Sequence, residues 1–306
     1  MQLRNQRGFF IKEKVNNAVR TELELTVREA EAFYRAQISR LVSKARHKRV
    51  ILISGPSSSG KTTTAQRILH TFQRRGIPAV PVSLDDFYKN REDLPVIDGR
   101  PNAEVIQALE LDLITQTLLK LDTDGCAMLP EFDFIHGMRL DNVKKVSVPD
   151  NGVILVEGLH ALNDLIYSRL PAQDLFRVYV SPHSGFTDNG SVLLTKRQVR
   201  FIRRLVRDFR TRGCDGEQTF ARWADVCRGE DVFIRPFRKY ADFRVNTTYS
   251  YECGLLRNQA LSILSDIPPD SIYYAQAMQL CRSLQTFYPV PDTFVPEDSL
   301  LHEFYG

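Results

Sequence analysis

Eight consecutive residues, Gly55-Pro56-Ser57-Ser58-Ser59-Gly60-Lys61-Thr62, fit the pattern Gly-x-x-x-x-Gly-Lys-Ser/Thr at every fixed position. The apolar run Val50-Ile51-Leu52-Ile53 leads in, and Thr63-Thr64-Ala65-Gln66-Arg67-Ile68 leads out as a helix. A strand, a glycine-rich turn and a helix in that order gather backbone N–H groups at a helix N-terminus that carries about half a positive charge. Such a nest holds phosphate oxygens, those of ATP above all. Lys61 adds a mobile full charge for the β- and γ-phosphates, and the Thr62 hydroxyl is a ligand for Mg²⁺. With Thr63 next in line, residues 55–63 form the candidate nucleotide-binding segment.

Acids follow at two further strand ends. Asp85-Asp86 closes the run Ala79 to Leu84, and Glu157 closes Val153-Ile154-Leu155-Val156. Ligand sites of open α/β sheets lie outside the carboxyl ends of their strands. A carboxylate placed there accepts the proton of an attacking hydroxyl or holds Mg²⁺, so Asp85 is a candidate for either role and Glu157 for the Mg²⁺ side. Gly158 lets the backbone turn sharply after Glu157. Paired Asp residues also cap turns, so this reading leans on the loop upstream. A third feature is the helix KRQVRFIRRLVRDFRTR, residues 196–212, with an expected apolar stripe of Val199, Ile202, Val206 and Phe209. Arg200, Arg203, Arg204, Arg207 and Arg210 run beside it, and Asp208 is its lone acid. The arginines suit a clamp on ATP phosphates and on transition-state charge. A solvated charged face and an RNA-binding helix are the rival readings. No aromatic residues interleave as stacking platforms, which disfavours nucleic acid. His136, Trp223 and Tyr249-Ser250-Tyr251 read as structural.

These residues need a scaffold. Short apolar runs at 50–53, 79–84, 153–156, 176–180 and 243–245 suit buried strands of a parallel sheet. Helical stretches at 61–75, 103–121, 192–212 and 217–228 complete a βα alternation, hence an α/β domain with helices on both faces. Residues 127–149 break the alternation and read as a hairpin with arms MLPEFDF and KKVSVP. Residues 1–47 form a helical lead-in, 48–265 the main domain, and 266–306 a helix at 271–286 with an extended proline-rich tail packed on that domain.

The 306-residue chain has a formal net charge of +4, too mild to demand nucleic acid. Its five cysteines include no CxxC pair, which argues against a disulfide framework or a zinc site and for a reducing cytoplasm. No signal peptide or membrane-spanning run is visible.

In order, GPSSSGKTT, SLDDFYK, LPEFDFIHGMR, VILVEGLHAL, RRLVRDFRTRG and KYAD resemble the uridine kinase/phosphoribulokinase family of P-loop kinases, and its bacterial-type uridine kinase-like branch in particular. The resemblance implies a five-stranded parallel sheet, a β-hairpin over the acceptor site and an Arg-rich lid helix. It implies Lys61 and Thr62 on ATP·Mg²⁺, Asp85 as general base and Glu157 beside the metal. Arg204, Arg207 and Arg212 become lid residues, and Asp98 a contact to ribose hydroxyls. Tyr88, Phe132, His136 and Arg204 complete the expected acceptor site. The partner is then a small molecule bearing a hydroxyl, foremost a nucleoside resembling uridine or cytidine. Sugar phosphates, glycerate and inositol are the alternatives, and an RNA-associated NTPase is a weaker one. A homo-oligomer is left open. Uridine kinases carry Tyr-Asp-Phe in the hairpin with a His five residues after the Tyr. Here the motif is Phe132-Asp133-Phe134 and Gly137 holds the His position. Cys214 and Arg222 likewise replace an Arg and a Gln. The groups that read a pyrimidine are altered, while those that move phosphate are kept.

Overall fold

The protein is described by a computed structural model that covers residues 3–97 and 99–306. A short strand, β1 (Phe10–Ile11), opens into helices α1 (Lys12–Thr21) and α2 (Leu23–Ala45). The apolar runs then form β2 (Val50–Ser54), β3 (Ala79–Ser83), β8 (Val153–Glu157), β9 (Leu175–Ser181) and β12 (Phe243–Asn246). These five lie parallel in the order β12-β9-β2-β8-β3. Between them run β4 (Val96–Ile97), β5 (Arg100–Pro101), the hairpin β6 (Cys126–Asp133) and β7 (Met138–Ser147), and the hairpin β10 (Phe186–Asp188) and β11 (Ser191–Leu194). The remaining helices are α3 (Lys61–Arg74), α4 (Leu111–Thr123), α5 (Asp164–Tyr167), α6 (Lys196–Arg212), α7 (Gly216–Gly229), α8 (Glu252–Ser265), α9 (Tyr274–Gln285) and α10 (His302–Tyr305).

Side chains alternate across a strand, so β2 feeds two cores. Ile51 and Ile53 join one apolar cluster with α2, α3, α6, α8, α9 and the tail. Val50 and Leu52 join a second with α4 and the hairpin. Burial on both faces is why these strands are apolar throughout. Register sets Glu157 opposite Ile53 on one side and Ser83 on the other. The carboxyl ends of β2, β3 and β8 are therefore level, and the loops that leave them converge at one edge of the sheet.

Several local expectations are corrected. Helix α4 begins at Leu111, not 103. Residues 102–110 instead make an Asx turn, with Glu104 N–H on Asn102 Oδ1, and pair with the chain after β3 through Lys89 N–H to Ala108 O and Glu110 N–H to Phe87 O. Helix α6 begins at Lys196, not 192, because Thr195 and Gln198 form a capping box. Ahead of it Asn189-Gly190, both with positive φ, turns the β10–β11 hairpin. Phe209 is 49% exposed, and Leu205 takes its place in the buried face. The second hairpin arm starts at Met138, not Lys144. Its residues 138–145 are exposed or only partly buried, so no alternation marked them.

One ion pair crosses the interior. Arg203 of α6 and Glu252 of α8, both wholly buried, meet at 2.6 Å. Arg203 also donates to Thr247 O and Oγ1, and stacks 4.9 Å from the Phe304 ring centre. Glu252 accepts from Tyr249 N–H. Breaking such a pair strands a buried charge at a cost of about 3–5 kcal/mol. Glu252→Ala is expected to lose stability of that order in denaturant titration. Arg203→Met/Glu252→Leu, which removes both charges, is expected to lose clearly less. Equal losses would show that packing, not charge, sets the cost.

Candidate active site

The loop after β2 is built for an anion. A Cβ on Gly55 would lie 2.1 Å from Val180 O, so only glycine fits there. Ser58 and Gly60 take left-handed backbone angles, φ 58° and 83°. Gly60 caps α3 without a side-chain hydrogen bond. The Ser58 and Ser59 hydroxyls are buried and lack protein partners, an arrangement costing about 1–3 kcal/mol per group unless a ligand satisfies it. The loop is also braced from outside. Thr247 Oγ1 donates to Ser59 O at 2.7 Å, Arg200 Nε to Ser57 O at 3.1 Å, and Arg204 Nη1 to Ser57 Oγ at 2.8 Å. Orphaned hydroxyls in a left-handed, braced loop fit the phosphates of a nucleotide.

Lys61 and Glu157 meet beside this loop, within electrostatic reach of Asp85. Lys61 Nζ lies 2.6 Å from Glu157 Oε2, and both residues are buried. Burial pulls the Lys61 ammonium down, but Glu157 and Asp85 outweigh it and hold the group above its ordinary value. Asp85 starts a short turn whose cap is Ser83 Oγ accepting its N–H. Burial raises the Asp85 carboxyl; Lys61 opposes this, Glu157 reinforces it, and the result lies above the usual carboxylate range. Asp86 is raised by burial too, partly offset by a backbone hydrogen bond from Phe132. Thr62 is exposed on the first turn of α3. Among the described residues no three His, Cys, Asp or Glu cluster as a metal cage. A hydroxyl plus a carboxylate is the usual protein share for Mg²⁺, with phosphates supplying the rest, and Thr62 with Glu157 or Asp85 is such a donor set.

On the acceptor side Tyr88 packs edge-on against Phe132, ring centres 5.9 Å apart. Burial, then Asp85 and Glu104, push the Tyr88 phenol well above its ordinary value, which places these acids around it. His136 is not brought in. It sits exposed at the hairpin turn with Nδ1 2.5 Å from Asp133 Oδ2. Gly137 turns with φ 70°, and a side chain there would meet the Arg91 guanidinium at 2.7 Å. Asp98 lies outside the described residues. Arg222 Nη1 donates to the Cys214 sulfur at 3.2 Å.

Asp208 gathers three arginines of α6. Its buried carboxylate faces Arg204 at 3.1 Å, Arg207 at 2.8 Å and Arg212 at 3.5 Å. Burial lowers the Arg204 guanidinium, with Asp208 opposing. Arg203 belongs to the interior pair and Arg200 to Ser57 and Glu230, so the arginines of α6 divide by task.

Three participants carry no signal in the sequence pattern. Burial raises the Glu104 carboxyl, Arg204 opposes this and Asp85 adds to it, so Glu104 feels both groups. Glu303 Oε2 accepts from Thr63 Oγ1 at 2.5 Å. Leu300 lies where a Gly60 side chain would go. Glu104 closes none of the apolar runs and matches no motif. Glu303 is 240 residues from its partner. The apolar pattern of 300–304 is the one hint that the tail docks.

Sheet order, loop and converging acids define a P-loop kinase. The sequence profile of the Phosphoribulokinase / Uridine kinase family matches residues 50–251. A uridine kinase of Leuconostoc citreum is 29% identical over 219 residues, spanning 70% of this chain and 96% of the relative. One of Anoxybacillus flavithermus is 31% identical over 195 residues, 63% and 83% respectively. A solved structure described as a fructose transport system kinase, from Silicibacter sp. TM1040, shares the fold at 18% identity and a TM-score of 0.50, over 69% of this chain and 98% of its own. The chain belongs to the phosphoribulokinase/uridine kinase family and is an ATP-dependent kinase with a hydroxyl acceptor. No helix among the described residues is long and apolar enough to cross a membrane.

His160, just past β8, is 2% exposed and lies against the backbone of Glu104 and Phe233. Burial depresses its pKa to about 4. A depressed histidine is neutral in the fold, so its stabilisation is complete above the unfolded value near 6.5 and is lost as pH falls towards 4. The stability lost by the native protein between pH 7.5 and 4 is expected to be about 3 kcal/mol smaller in His160→Leu. Identical losses in denaturant titrations would show that His160 takes no proton there.

Proposed function

We propose that the chain transfers the γ-phosphoryl group of ATP, with Mg²⁺, to a hydroxyl of a nucleoside or a related polyol, with Asp85 as the base. The observation that carries this is the buried Lys61–Glu157 pair at the end of β8, electrostatically coupled to Asp85 just past β3. Mg·ATP, when bound, supplies the phosphoryl group and the divalent charge that spreads over its oxygens. The braced loop and Thr62 orient the phosphates. Lys61, already charged beside Glu157, is within reach of the anion. Arg204, Arg207 and Arg212, gathered by Asp208, supply positive charge where the transferring group becomes most negative. Asp85 takes the acceptor proton, and Tyr88 with Phe132 offers an aromatic wall to the acceptor.

Asp85→Asn is expected to lower kcat by roughly 10²–10⁴-fold with little change in ATP affinity, and Asp86→Asn by less. A base works deprotonated, so kcat/KM rises with pH through the raised Asp85 value, and this limb is absent in Asp85→Asn. If Asp86→Asn proves the more damaging, the two roles exchange. Lys61→Ala and Glu157→Gln are expected to abolish turnover in folded protein, and turnover within a few-fold of native in either would refute the assignment.

The acceptor is read less from the relatives than from the hairpin. Phe132 lacks a phenolic hydroxyl, and Arg91 fills the space beside Gly137. A pocket without polar groups aimed at a base edge discriminates weakly between bases. Uridine and cytidine are therefore expected to differ little in kcat/KM, and a polyol or sugar phosphate to rival them. Steady-state kinetics over such a panel decide this, and an exclusive preference for one pyrimidine nucleoside would overturn it.

A further inference from the structure

On the far side of Ser57, a second pocket opens where β9 ends. It has a volume of about 130 Å³ and lies between Tyr179, Ser181 and Pro182, the start of α6 and the segment 230–238. Lys196, Arg197, Arg200, Arg235 and Arg238 line it, against Glu230. Glu230 pairs with Arg200 at 2.8 Å and Arg197 at 3.8 Å, and Asp231 with Arg197 at 2.7 Å and Arg235 at 3.4 Å. Among the described residues Lys196 and Arg238 have no acid within ion-pair distance. The decisive group is Arg200, 4% exposed. Ser57 O and Glu230 fix its Nε and Nη1, while its buried Nη2 has no partner. Arg238 Nε is likewise buried and unpartnered.

We propose that this pocket is a second anion site, separate from the nucleotide loop, that takes a phosphoryl group. Two uncompensated cations match a phosphate, which carries about two negative charges near neutrality. The unpartnered Arg200 Nη2 and Arg238 Nε offer N–H donors to its oxygens, and the space admits a tetrahedral oxyanion. Like charges crowded without an anion repel one another, and buried N–H groups without acceptors are costly. One ligand resolves both. The excess field is felt nearby: His183 is pushed down to about 4 by burial first and then by Arg238 and Lys196.

Titration calorimetry with inorganic phosphate tests this, using protein saturated with Mg²⁺ and a non-hydrolysable ATP analogue. One saturable site is expected, weakened about tenfold or more in Lys196→Ala/Arg238→Ala and kept in Lys61→Ala. Circular dichroism checks folding. Should the double variant misfold, Lys196→Ala carries the comparison, since that side chain is exposed. Glycerol phosphate run alongside separates a metabolite ester from free phosphate as the source, and tighter binding of either supports the site. The proposal fails if no saturable binding remains with the nucleotide loop filled, if the folded variants bind as the native protein does, or if acetate binds as tightly as phosphate.

Discussion

The Arg203–Glu252 pair is the joint on which the site hangs. It fixes α6 to α8, and through Thr247 it reaches the Ser59 carbonyl of the nucleotide loop. A loop whose backbone must face an anion cannot satisfy its polar groups locally, so its shape has to be imposed from neighbours. Thr247, Arg200 and Arg204 do this from three directions. Gln37 on α2 reinforces the same edge by pairing with both the N–H and the carbonyl of Asn246, as a further strand would. The lead-in helices are thus tied into the sheet that carries the chemistry.

Charge is distributed by the same economy. Two buried acids of the site stand against cations: Glu157 against Lys61, Asp208 against Arg204, Arg207 and Arg212. Cations kept this way remain ionised when withdrawn from water, and they are oriented before any phosphate arrives. Asp85 is treated differently. Burial raises its carboxyl above the usual range, and Lys61 only moderates that rise.

Much of this is legible in the sequence because it is local. The nucleotide loop is eight contiguous residues, and the strands are apolar runs because both faces are buried. Where sequence and structure part, the cause is a competing interaction. Periodicity carries the apolar stripe of α6 on to Phe209, but burial there passes to Leu205. A hydrophobic stretch suggests helix from 103, but pairing with the chain after β3 wins. Asn189-Gly190 is a turn signal that the helical pattern around it masks. Glu104, Glu303 and the function of Asp208 depend on tertiary neighbours, which no spacing within the chain could reveal.

The docking of the tail has a consequence for how the enzyme comes to life. Thr63 and Glu303 are separated by 240 residues, and Leu300, wholly buried, packs over Gly60. A chain emerging in N-to-C order has its phosphate loop early and the cover of that loop very late. Closing so long a loop adds little entropic penalty beyond that of a shorter one, so the delay is one of timing, not of stability. Until the tail arrives, Gly60 and Thr63 at the start of α3 lack the cover of Leu300 and Glu303.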